Sequence, residues 1–404
     1  LGGKSAVAEK SGFAVAGPLM WQWKDRIDQK FMERFRDLPA MEKPPVPKNA
    51  AKGVAQELSG PQPCGGCGAK LGSGALSGVI GGRAGAARDD AERPPGDDAA
   101  LLRFGERRQV ISTDHLRAFA SDPALVARVA AVHALGDVWA MGAAPQSALA
   151  TVILPRMEAR LQGAWLDEVM TAAAEVFAGE GAAVLGGHSS MGAELTVGFT
   201  VTGLLDGEPV TLAGARPGDA LILTKALGTG VLLAAEMRTK ARGADVVACW
   251  EAMAAPQGAA AKLMAPEARA MTDVTGFGLA GHLWNICGAS GTGARVELAA
   301  LPLLAGARDL AARGIRSTLF AQNRAALEHG VTAPETPEGD LVFDPQTAGG
   351  LLAAVPADRA GSLVDSLAAQ GFPSARIGEV TDQPGRLEFV ERLRAPGRAW
   401  WTGG

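Results

Sequence analysis

Gln109-Val110-Ile111-Ser112-Thr113-Asp114 is followed, after a short polar break, by an apolar-spaced run over 123–141 that stops at Gly142. The first stretch is apolar and β-branched, as in a short strand. The second repeats apolar residues at helical spacing and has a glycine just past its end. Working outward, the alternation continues. Residues 147–154 read as a strand, 161–178 as a helix, Val184-Leu185 leads into a turn at Gly186-Gly187-His188, and 195–205 alternates as another strand. A break rich in Pro and Gly over 207–218 precedes a strand at 220–223, helices near 230–238 and 277–287, strands at 351–355 and 375–380, and a helix at 357–370. This pattern predicts an α+β fold in two halves of similar size, 56–210 and 211–396.

Residues 1–55 read as an appendage. Trp23, Ile27, Phe31 and Phe35 recur every four positions, which predicts one amphipathic helix. Glu42-Lys43-Pro44-Pro45-Val46-Pro47 reads as a linker. Lysine is concentrated here: seven precede residue 53 and four follow it. Leu1 stands where a start methionine would, so the chain reads as lacking its true N-terminus.

Composition narrows the function classes. With 47% hydrophobic and 20% charged residues the chain is globular, and a net charge of −4 without a basic stripe argues against nucleic-acid binding. Four cysteines, at 64, 67, 249 and 287, are too few for a disulfide scaffold and suit a reducing cytoplasm. No apolar run is long enough to span a bilayer, so no membrane role is expected of this chain.

The chemistry gathers in a few short strings. Cys64-Gly65-Gly66-Cys67-Gly68-Ala69-Lys70 puts two thiols and an amine on a glycine-rich, mobile stretch, and Asp97-Asp98 follows about thirty residues later. Thiolate suits soft atoms such as sulfur or selenium, whereas carboxylates hold hard Mg²⁺ against phosphate oxygens. Asp97, Asp98, Asp114, Asp137 and Asp273 stand among small residues at the ends of strands or turns, where helix capping is the alternative role. Asp137 differs, because it falls mid-pattern in an apolar helix and would be costly there without a cationic partner. Lys70 fails the Walker A pattern, since Ala69 and Leu71 replace the required Gly and Ser/Thr. Cys64 and Cys67 lack a second Cys/His pair for structural zinc, and Cys249 and Cys287 read as core residues. His188, beside its double glycine, is a candidate phosphate contact, while Gly349-Gly350 could serve similarly or form a tight turn.

Together these strings resemble selenophosphate synthetase (selenide, water dikinase), of the aminoimidazole-ribonucleotide-synthetase-like (PurM-like) superfamily, from about residue 62 to 390. The shared motifs keep the family's order: Cys-Gly-Ala-Lys (67–70), Asp-Asp-Ala-Ala (97–100), Ser-Thr-Asp (112–114), Gly-Asp-Val-Trp-Ala-Met-Gly (136–142), Gly-Gly-His-Ser (186–189), Thr-Lys-Ala-Leu-Gly-Thr-Gly (224–230), Thr-Asp-Val-Thr-Gly-Phe-Gly-Leu-Ala-Gly-His (272–282) and Asp-Pro-Gln-Thr-Ala-Gly-Gly (344–350). The resemblance implies a two-domain fold and the reaction ATP + selenide + water → selenophosphate + AMP + phosphate, with Mg²⁺, K⁺ and a homodimer. It implies Cys67 and Lys70 as catalytic residues, and Asp98, Asp137 and Asp273 as magnesium ligands. Lys70, Asp97, Asp114, Asp137, Gly187, His188 and Ser189 become ATP contacts. Two departures stand out: Ala69 sits where many members have a second cysteine, and His115-Leu116 where two phenylalanines are common. The first 40 residues, especially 21–35, are similar to the C-terminal end of a pyridine-nucleotide-dependent flavoprotein oxidoreductase, without any dinucleotide fingerprint. The alternatives are a thiamine-monophosphate-kinase-like enzyme and a non-catalytic redox or sulfur-relay module using Cys64 and Cys67.

Overall fold

The computed structural model describes residues 4–36, 49, 51, 64–66, 70, 88–92 and 98–392. The chain divides into two compact units, Leu1–Gln62 and Pro63–Gly404. In the first, strands β1 (Ala6–Lys10) and β2 (Phe13–Gly17) form an antiparallel hairpin closed at Ser11-Gly12, both at positive φ. The helix Pro18–Arg36 follows directly and contains the expected four-residue apolar stripe. Trp23, Ile27 and Phe31 on that stripe are exposed. The sequence reading found the helix but not the hairpin before it, whose strands are rich in alanine.

The second unit holds two sheets. Strands β3 (Ala91–Glu92), β4 (Ala100–Phe104), β5 (Arg107–Arg117), β6 (Ala144–Pro155), β7 (Ala183–Gly192) and β8 (Thr196–Leu205) form the first, in the order β3-β4-β5-β8-β6-β7. The helices Pro123–Ala140 and Ala159–Gly179 pack on one face of it, with Phe177 of the latter edge-on to Phe199 of β8. The helix Pro123–Ala140 starts where Asp122 accepts the backbone N–H groups of Ala124 and Leu125, and it ends before Gly142, at φ 71. Fourteen of its 18 residues are buried, so it is an internal helix and not an amphipathic surface one.

The second sheet comprises β9 (Ala220–Leu223), β10 (Ala270–Asp273), β11 (Gly293–Glu297), β12 (Val331–Thr332), β13 (Leu351–Val355), β14 (Ala375–Thr381) and β15 (Leu387–Val390), in the order β10-β13-β9-β14-β11-β15-β12. Every residue of β9, β10 and β13 is buried. Cys249 and Cys287 are core residues as expected, and burial pushes their thiols up to about 12 and about 11 respectively. Among the described residues no helix is long and apolar enough to cross a membrane.

Two expectations need correction. Gly186-Gly187-His188 is not a turn but lies inside β7, which pairs in parallel with β6 through a bulge at Leu185. Gly187 is needed for another reason: a Cβ there, at φ 156, would lie 1.9 Å from the Ala150 carbonyl oxygen. Asp114 does not end its strand either, because β5 runs on to Arg117 paired with β8. Gly349-Gly350, left open above, packs backbone against backbone on Val274 and Lys225.

Candidate active site

Four segments converge at the junction of the two sheets. Asp98 stands just before β4, Ser112 and Asp114 lie on β5, and Asp273 ends β10. His133 and Asp137 lie one turn apart on the helix Pro123–Ala140 and so share a face. Gly136 lets helix and strand meet here: a Cβ at that position would lie 2.3 Å from Asp273 Oδ2.

Asp98, Asp137 and Asp273 each offer a carboxylate oxygen, and these oxygens lie within 4.8 Å of one another. Like charges at that spacing repel by on the order of 3 kcal/mol per pair at an effective dielectric constant of about 20. The repulsion marks the titration of the group. Burial, then the negative charges of Asp273 and Asp114, raise the Asp137 carboxyl well above the ordinary range, although Ser112 Oγ donates to its Oδ2. Burial likewise raises Asp273 to about 6, against the opposing positive charges of His133 and Lys70. The sequence reading asked for a cationic partner for Asp137; the structure sets two more carboxylates beside it, and the positive charge of Lys70 opposes their effect. A cluster of hard oxygen donors that repel one another fits a divalent cation such as Mg²⁺.

Asp114 is set apart electrically. Lys70 Nζ lies 2.8 Å and His133 Nε2 2.9 Å from its Oδ2. Burial would raise this carboxyl, but the charges of His133 and Lys70 outweigh that and hold it far below the ordinary range. Acid cluster and cation pair therefore adjoin, as polyphosphate recognition needs. Lys225 is buried, its Nζ donates to the Ala348 carbonyl at 3.0 Å, and burial pushes its ammonium down to about 7.

The remaining candidates lie elsewhere. Cys67 and Asp97 fall outside the described residues, as do Gly68 and Ala69 of the glycine-rich loop. Cys64 is 4% exposed within the hydrophobic core, its backbone N–H donating to Thr318 Oγ1, so it is no exposed second thiol. Gly187, His188 and Ser189 are exposed on β7, an edge strand separated from β5 by β8 and β6, roughly 14 Å away at ordinary strand spacing. One chain does not bring them to the acid cluster. Beside Asp114, on the sheet, opens a cleft of about 520 Å³ lined in part by Thr113, His115, Arg117 and Thr151. Sequence reasoning missed His133, whose signal was its spacing of four from Asp137 in an otherwise apolar helix.

Comparison with known proteins agrees with this architecture. Residues 96–205 match the family AIR synthase related protein, N-terminal domain, and residues 216–389 its C-terminal domain. A selenide, water dikinase of Nitratidesulfovibrio vulgaris is 37% identical over 306 residues, covering 73% of this chain and 86% of the relative. That of Geobacter metallireducens is 36% identical over 315 residues, covering 76% and 90%. That of Desulfitobacterium hafniense is 37% identical over 332 residues, covering 79% and 95%. Among solved structures, thiamine-monophosphate kinase from Stenotrophomonas maltophilia superposes with a TM-score of 0.58 at 21% identity, over 75% of this chain and 92% of that one. The hydrogenase maturation protein HypE of E. coli gives 0.53 at 20% identity, over 72% and 87%. At such identities the solved structures establish the shared fold. The curated relatives, matched over most of their length at more than a third identity, establish more: the chain belongs to the selenide, water dikinase family.

Proposed function

We propose that this chain is a phosphotransferase that makes selenophosphate from ATP, selenide and water, releasing AMP and phosphate. The observation that carries the reading is the pairing of three mutually repelling carboxylates with the Lys70–Asp114–His133 cluster beside them. Asp98, Asp137 and Asp273 would hold magnesium, which when bound neutralises phosphate charge and draws a triphosphate to this junction. Lys70 and Asp114 then bound the polyphosphate on its other side. Selenium attacks the γ-phosphorus as the bond from γ-phosphorus to the β–γ bridging oxygen breaks and ADP leaves. Water then cleaves the β-phosphoryl group of ADP to give AMP and phosphate. Positioning and electrostatics supply most of the rate, as in other phosphoryl transfers. Cys67 acts on selenium as a thiolate, three residues before Lys70 and in a reducing cytoplasm. Potassium belongs with the polyphosphate site, and Asp97 contacts nucleotide.

Gly187, His188 and Ser189 serve ATP from an exposed edge, which suits assembly of two copies. Leu149, Leu185 and Met191 there are 51%, 71% and 66% exposed, an apolar surface that a second chain would cover. The division into domains at about 56–210 and 211–396, behind an oxidoreductase-derived appendage, is part of the same reading.

Incubation with ATP, Mg²⁺ and selenide, followed by ³¹P NMR, tests the reaction. Selenophosphate with AMP supports it; ADP alone would mean a simple kinase, and unchanged nucleotide a relay module. Cys67→Ser should abolish selenide-dependent turnover while nucleotide binding stays within about twofold, since thiolate and not hydroxyl is the soft nucleophile.

A further inference from the structure

Asp98 belongs to the first sheet's half, yet the hydroxyl that donates to it comes from the other. Thr272 Oγ1, on β10 and buried, lies 2.9 Å from Asp98 Oδ1, across 174 residues of sequence. The carbonyl of Asp273 is a second acceptor at 3.3 Å, farther away and uncharged. Behind Thr272 stands His282, whose Nδ1 is 3.4 Å from the same hydroxyl oxygen. The backbone N–H of Thr275 donates to His282 Nε2 at 3.0 Å. A ring nitrogen that accepts a backbone N–H carries no hydrogen, so the hydrogen of the neutral imidazole is on Nδ1 and faces Thr272. Thr272 thus receives one hydrogen bond and sends its own hydrogen to the carboxylate. Phe277, with its centroid 5.6 Å from the imidazole, helps hold the ring's tilt.

We propose that His282 and Thr272 are positioning residues, a two-link relay anchored on the Thr275 backbone that fixes the Asp98 carboxylate for magnesium. The inference rests on the reading of Asp98 as a magnesium ligand and deepens it. Groups behind a ligand orient it, and their loss weakens metal binding by about 10–100-fold in known sites.

The test is magnesium affinity by isothermal titration calorimetry in the presence of a non-hydrolysable ATP analogue, together with the KM for Mg²⁺ and kcat. Wild type is compared with Asp98→Asn, Thr272→Val, Thr272→Ser and His282→Leu. Thr272→Val keeps the volume and removes the hydroxyl. It should weaken magnesium binding about tenfold and raise the KM for Mg²⁺ equally, with kcat at saturating Mg²⁺ within about twofold. Thr272→Ser restores the hydroxyl and should bind within about twofold of wild type, while His282→Leu, which removes the donor, follows Thr272→Val. If Asp98→Asn binds magnesium as wild type does, the ligand reading fails and the relay with it. If Asp98→Asn loses affinity and Thr272→Val does not, the relay alone is overturned. Equal losses in the Val and Ser variants would also overturn it, because packing and not the hydroxyl would be responsible. Metal-free melting confirms that each variant folds; should Thr272→Val not fold, His282→Leu carries the same test.

Discussion

The two sheets of the larger unit are covered differently. In the seven-stranded sheet, β9, β10 and β13 are buried along their whole length, as expected of a layer with both faces enclosed. In the six-stranded sheet β6 alternates buried and exposed residues, and β7 is exposed almost throughout. The enclosed sheet gives Asp273 and Thr272 a fixed footing, while the half-open one presents Thr113, His115 and His188 outward. A rigid reference on one side and an accessible face on the other is the division of labour that positioned chemistry requires.

The contrast breaks first if the shared acids are not functional. Asp137→Asn should lower Mg²⁺-dependent ATP consumption at least about a hundredfold, roughly 2.7 kcal/mol of barrier. The metal-free melting temperature should hold or rise, because the lost charge is one that Asp273 and Asp114 repel. A normal rate would remove the metal role. Next comes the enclosed sheet itself: Ile222→Ala on β9, fully buried, should cost about 2–5 kcal/mol by denaturant unfolding. A smaller loss would mean this layer is looser than its burial indicates.

The pH dependence is a finer probe. Burial raises Asp273 to about 6, so its contribution to stability is present below the ordinary carboxylate range and is lost as pH rises through about 6. Asp137 acts in the same direction. Asp114, depressed, acts oppositely, but its contribution is lost only as pH falls below the ordinary range. Metal-free protein should therefore melt lower at pH 7 than at pH 5.5, by a few degrees at about 2–4 °C per kcal/mol, and Mg²⁺ should cancel the difference. A metal-free melting point that climbs over that interval would refute the repulsion. On the open sheet, Leu185→Asp should change monomer stability by no more than about 0.5 kcal/mol, while shifting sedimentation from dimer to monomer. Unchanged sedimentation would end the assembly assigned to that edge.

Much of this was legible beforehand where local pattern and burial agree. The strands at 220–223 and 351–355 and the helices at 123–141 and 357–370 were readable because their apolar runs are bounded by breakers. β7 was misread because its double glycine signals a turn locally, whereas the constraint comes from Ala150 on a neighbouring strand. The aspartates were visible as residue types, and their convergence followed only from the family's motif order. His133 against Asp114, and the Thr272–His282 pair behind Asp98, join segments that no periodicity connects. Such contacts are set by packing, of the helix Pro123–Ala140 on β5 and of β10 against the residues before β4.

The acids at 98, 137 and 273 are assembled from both ends of the fold. A nascent or partly refolded chain with only its first sheet formed has two of the three oxygens and no complete site. Contacts so distant along the chain form late, after the loops between them have been closed. Metal-dependent protection should thus appear in refolding only after Trp139, buried within the helix Pro123–Ala140, has lost its solvent-exposed fluorescence. The ion site would be a clock for the last step of folding, silent until both sheets are in place.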